Sequence, residues 1–94
     1  MEIKISPIEH ALAKLLNLNG VNYYWKDKAR GEGKQMGVIA QEVEAVLPEL
    51  VSENKDGIKS VDYDGLFPVV VEAIKEQQGG LKNIEERIQA LEKQ

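Results

Sequence analysis

At 94 residues, with a formal net charge of −4, no cysteine and a single histidine, the chain is one small domain without disulfides or thiolate metal sites. Its charges of both signs are spread along the sequence, which excludes the concentrated basic face of a nucleic-acid binder, and no apolar run reaches the ~20 residues that span a bilayer. A domain of this size is marginal alone, and without disulfides or a metal the remaining means of stabilising it is oligomerisation.

The first predicted element is a helix opened by Ser6, Pro7 and Glu9. Ser6 caps it, Pro7 takes the first helical position and Glu9 completes the capping box. Ile8, Leu12, Leu15 and Leu16 then form one apolar face, and His10 lies off it. Asn19 and Gly20 end the segment. Residues 21–26 alternate, with Val21, Tyr23 and Trp25 on one face of a strand. Residues 27–34, charged and glycine-bearing, predict an exposed loop, and residues 35–39 the returning strand of a hairpin. A short helix follows over residues 40–47, with Ile39, Val43, Val46 and Leu47 on its apolar side, stopped by Pro48. Leu50 and Val51 pair with residues 58–61 across Asp56 and Gly57, a tight-hairpin signal. The last helix is expected from Leu66 onward, capped by Asp64 or Gly65, with Pro68 in its first turn.

That last segment carries heptads. With Ile74 at position a, Gln77 falls at d, Leu81 at a, Ile84 at d, Ile88 at a and Leu91 at d; counting back adds Phe67 and Val70. Lys82, Glu85, Glu86, Arg87 and Glu92 flank the stripe, as in a coiled coil; periodicity alone leaves open an amphipathic helix that packs on its own domain. Gly79 and Gly80 fall at outer positions, so the register passes through them. A straight helix and a soft joint at the glycines both remain open. The tail alone buries too little apolar surface to offset its ordering entropy and depends on the part before it.

Several residues resemble fragments of catalytic or binding sites. Gly31, Glu32, Gly33 and Lys34 look like part of a phosphate loop, but Gln35 stands where Ser or Thr is required; a hairpin tip accounts for them. Ser6 near Lys4 suggests a nucleophile pair, and capping explains Ser6 better. Lys59 and Ser60 are strand neighbours pointing to opposite faces. Asp62, Tyr63 and Asp64 suggest a cation site, and a helix start explains them better. No catalytic, metal or cofactor site is expected.

Three blocks carry a family resemblance: residues 36–51, with Gly37, Ala40, Gln41, Glu42 and Pro48; residues 57–63, with Val61, Asp62 and Tyr63; and residues 71–76, with Glu72, Ala73, Lys75 and Glu76. The chain resembles the C-terminal intramolecular chaperone domain of endosialidases, phage tail spikes and tail fibres. The resemblance covers residues 5–78. It implies a homotrimer that assists folding of a covalently preceding passenger and then cuts itself off, in the host cytoplasm during virion assembly. Cutting in such domains uses a serine activated by a lysine in a Ser-Asp-x-x-Leu-Lys-x-x-Ile segment. Ile5 matches the final isoleucine, which places Glu2 where the lysine belongs and the serine before Met1. Lys4 is out of register. The expectation is a trimmed or non-cleaving form, not an active enzyme, that needs no cofactor and engages neither nucleic acid nor membrane.

The expected fold is α+β: residues 1–65 as a globular portion with two hairpins, and residues 66–94 as a helix joining a parallel three-stranded bundle. The alternative is a permanent trimerisation or adaptor module, which needs the same interface.

Overall fold

The computed structural model describes residues 3–93. Its elements run α1 (Ala11–Leu15), β1 (Gly20–Tyr23), β2 (Gln35–Val38), α2 (Ala40–Val46), β3 (Val51–Glu53), β4 (Lys59–Val61) and α3 (Tyr63–Glu92), with 3-10 turns at Lys28–Arg30 and Pro48–Leu50. The class is α+β, as expected: two separate antiparallel hairpins and a long C-terminal helix.

Helix α1 begins later than its local signal predicts. Ser6, Pro7 and Glu9 stay outside it, and the residue before its first turn, His10, is left-handed at φ 57°. The capping comes from 65 residues away. Glu76 Oε1 accepts from Ala11 N at 3.0 Å, and Glu76 Oε2 accepts from Leu12 N at 3.2 Å. A carboxylate there satisfies two otherwise unpaired amides and sits favourably at the positive end of the helix. The delayed start also changes the face. Ala11 becomes the buried residue, Ile8, Leu12, Leu15 and Leu18 pack around it, and Leu16 is left exposed.

The first hairpin pairs Val21 with Gly37 and Tyr23 with Gln35, and the strand ends there. Trp25 is therefore past the ladder, although it stays on the same side, edge-on to Tyr23 at 5.4 Å and beneath the Arg30 guanidinium at 5.3 Å. The predicted strand to Lys26 is cut short because Asp27 turns the chain, its Oδ1 accepting from Ala29 N at 3.0 Å. The second hairpin pairs Glu53 with Lys59. Its turn is organised by Asn54, whose Oδ1 accepts from the amides of Asp56 and Ile58, both at 2.9 Å. Gly57 closes it at φ 79°, a region that favours glycine.

Helix α3 starts at Tyr63, three residues before its predicted start, and its cap is Asp62 rather than Asp64 or Gly65. Asp62 Oδ1 accepts from Gly65 N at 3.1 Å. Pro68 consequently lies in the second turn, opposite the Asp64 carbonyl it cannot bond. Both residues are exposed, so water can serve that carbonyl. The helix runs unbroken through Gly79 and Gly80.

The core gathers Ala11 from α1, Val43 and Leu47 at α2, and Leu66, Val69 and Ala73 from α3. Val43 is its one large side chain that is fully buried among the described residues. So small a core accords with a domain that relies on association for stability.

Candidate self-association surface

Over its first four turns α3 has two apolar faces. Leu66, Val69 and Ala73, spaced three and four apart, turn inward against α1 and the end of α2. Phe67, Val70 and Ile74 are each displaced by one residue, or about 100° around the helix. That rotation takes the second stripe off the core: Phe67 is 69% exposed and Ile74 60%, with Val70 half-buried between them. The globular part covers the first stripe and leaves the second open.

The outward stripe continues where the globular part ends. Beyond Glu76, α3 extends through Gln77, Leu81, Ile84, Ile88 and Leu91, all exposed, with the four apolar residues between 50% and 69% open. The helix's 30 residues correspond to about 45 Å at 1.5 Å per residue, in a molecule whose longest dimension is 65 Å. Leucine and isoleucine at such regular spacing on an uncovered helix form a continuous apolar patch of the kind that marks an interaction surface. Lys82, Glu85, Glu86, Arg87 and Glu92 are also exposed, away from the a and d positions.

The motif residues identified in the sequence mostly sit at joints between elements. Tyr63, at the start of α3, places its hydroxyl 3.1 Å from the Val38 amide, which donates to it. The space is left by Gly37: a Cβ there would come within 2.5 Å of the Tyr63 hydroxyl. The Asp62 amide donates to the Leu50 carbonyl at 2.7 Å, tying α3 to the turn that Pro48 begins. Glu42, on α2, accepts from both the amide and the side chain of Asn19, at 3.1 and 3.0 Å. Ala40 opens α2, Gln41 is exposed beside it and Val61 packs against the core. Ala73 is buried, whereas Glu72 and Lys75 form an ion pair at 3.5 Å. These long-range contacts lay outside what sequence spacing could reveal; Glu42 and Glu76 stand in the motif blocks, but nothing local marks Asn19, Ala11 and Leu12 as their partners.

The residues weighed for chemistry are otherwise engaged or dispersed. Lys59 donates to Glu44 at 2.5 Å, and that hydrogen bond, with the nearby negative charges, raises its pKa above the ordinary lysine value. Ser60 pairs with Ser52, their hydroxyls 3.0 Å apart. An open groove of 370 Å³ between the hairpins is lined by Val21, Trp25, Ile39, Val61 and neighbouring side chains, with no carboxylate or histidine among them. Gly31, Gly33 and Lys34 lie on the exposed first hairpin loop, and Ser6 and His10 are exposed near the start. Glu2, expected at the position of the family's lysine, lies outside the described residues.

Comparison with known proteins bears on this arrangement directly. Long tail fiber protein Gp37 of Enterobacteria phage K3 is 33% identical over 94 residues, which cover 94% of this chain and 8% of that protein. The Gp37 of Escherichia phage AR1 is 40% identical over 75 residues, covering 72% of this chain and 7% of its own length. That of Salmonella phage S16 is 30% identical, covering 93% and 13%. The chain thus spans about a tenth of the curated relatives it matches. The family described as chaperone of endosialidase matches over residues 3–52, the stretch from the first segment through both strands of the first hairpin, α2 and the turn at Pro48. By that match, the chain belongs to the chaperone-of-endosialidase family.

Proposed function

We propose that this chain is the assembly domain of a phage tail fibre, and that it trimerises through the outward stripe of α3 to bring three covalently preceding passenger segments into register. The observation that carries the reading is the second apolar stripe: Phe67, Val70, Ile74, Leu81, Ile84, Ile88 and Leu91 lie on one side of a 30-residue helix, and α1 and α2 occupy the other. Three such helices in parallel bury the stripe and leave the hairpins outside. Gln77 is the polar core position of that bundle, and a polar residue in a heptad core specifies register at a cost in stability. Residues 1–65 serve as the globular chaperone portion and residues 66–94 as the trimerisation segment. Family membership and the tail-fibre relatives support the assembly role, and the host cytoplasm during virion assembly is where such a role is exercised. Glu2 at the lysine position argues that the chain does not cut itself through the family's dyad.

Light scattering on the purified chain tests the proposal. Three times the 10.5 kDa chain mass at micromolar concentration is the expected result. A single-chain mass across that range would reject both the bundle and the chaperone role built on it.

A further inference from the structure

We infer that Glu76 is a positioning residue that makes order in the N-terminal segment conditional on helix α3. Helix α1 has five residues, far below the ~12–15 that an isolated helix needs in water. No local side chain caps its start, and His10 ahead of it is left-handed, so the preceding chain cannot extend the helix. What holds the first turn is the pair of hydrogen bonds from Ala11 and Leu12 to the Glu76 carboxylate. Those two bonds have the right geometry only while α3 is helical at Glu76. One turn earlier on the same face, Ala73 is buried against the core that contains Ala11. The carboxylate and the apolar contact therefore act together, one on the amides of α1 and the other on its side.

The consequence concerns direction. Residues 3–10 lead into α1 from the N-terminal side, and Ile3 and Ile5 on them are highly exposed. They join the domain through Ile8, which packs against the core, and through α1, which α3 holds. Glu76 also precedes Gln77, so any event that fixes α3 helical over this turn also fixes the acceptor for Ala11 and Leu12. The coupling is a property of the single chain and does not require the trimer.

Amide hydrogen exchange on the full chain tests this, comparing wild type with Glu76→Ala and Glu76→Gln. In Glu76→Ala, exchange at Ala11, Leu12 and the rest of α1 is expected to rise roughly tenfold or more, as loss of two charge-assisted hydrogen bonds implies. Exchange at Val43 and Leu47 should stay within about twofold of wild type, on the same expectation that the opening is local. Glu76→Gln keeps one acceptor oxygen and loses the charge, so it should fall between the two. Proteolysis within residues 3–10 should accelerate in the same order. Unchanged protection at Ala11 and Leu12 in both variants would overturn the inference. So would an equal loss of protection at α1 and at the core in Glu76→Gln, because Glu76 would then support the whole fold and not this joint. If Glu76→Ala does not fold, Glu76→Gln alone decides between these outcomes.

Discussion

The Gly37–Tyr63 contact shows how one absent side chain sets the position of a helix. The Tyr63 hydroxyl can accept from the Val38 amide because nothing projects from residue 37. Gly37→Ala puts a methyl 2.5 Å from that oxygen and should destabilise the domain by about 1–3 kcal/mol. Tyr63→Phe removes the hydroxyl and should cost about 1 kcal/mol. The double variant relieves the clash, so urea denaturation should show it to be less destabilised than the sum of the two. Strict additivity would show that the two residues do not meet in solution. Lys59 offers a test by pH. Its pKa is raised on folding by the hydrogen bond to Glu44, so its contribution is fully present below the ordinary lysine value and is lost as pH rises through the folded value. The gap in urea midpoint between wild type and Lys59→Met should therefore hold from neutral pH to near 10.5 and shrink above it. Lys59→Arg, which stays charged, should keep its midpoint over the same range; parallel decline of both proteins would rule out this ion pair as the cause.

Among the elements, α3 departs most from the ordinary cost of its sequence. Gly79 and Gly80 sit inside a continuous helix, and a Cβ built at either one meets nothing within 4 Å. Each glycine costs about 1 kcal/mol relative to alanine in a helix interior. Replacing both with alanine should raise the melting temperature by several degrees, followed by circular dichroism, with the oligomeric mass unchanged. A lower melting temperature would mean that the chain turns at the glycines with one of them at positive φ. At the other end of the helix, Asp62→Ala removes the oxygen that accepts from Gly65 and should cost about 0.5–2 kcal/mol. The same substitution at Asp64 should cost clearly less, because Asp64 is exposed in the first turn and is not the cap.

For the whole molecule, the question is what covers the stripe. Ile84→Asn with Ile88→Asn places two polar groups in the seam of the tail, beyond contact with the globular part. The assembly should fall to the 10.5 kDa chain mass, while exchange protection at Val43 and Leu47 remains, since neither contacts the tail. A mass still three times that of the chain would place the proposed interface on another surface. A passenger fused ahead of Met1 should remain attached over days by mass spectrometry if, as proposed, Glu2 stands at the lysine position. Release of a fragment near Met1 would show that a different pair of residues performs the cut.

By itself, the sequence determined the elements whose signals are local. Alternation and the loop at residues 27–34 located the first hairpin; Asp56 and Gly57 located the second; Pro48 marked the end of α2; and the heptads traced a stripe that α3 keeps in phase through two glycines. The errors fell where a distant group outcompeted a local one. Ser6, Pro7 and Glu9 form a complete capping box in sequence, yet α1 starts at Ala11, because Glu76 reaches its amides from the other end of the chain. Asp62 caps α3 where Asp64 and Gly65 had equal local claims, because its amide is also anchored to Leu50. Only the tertiary structure decided which stripe of α3 lies inside. Leu66, Val69 and Ala73 share the three–four spacing of Phe67, Val70 and Ile74, and periodicity cannot rank two such faces. Packing α1 against one of them buries it and leaves the other, which continues into the tail, open to a partner.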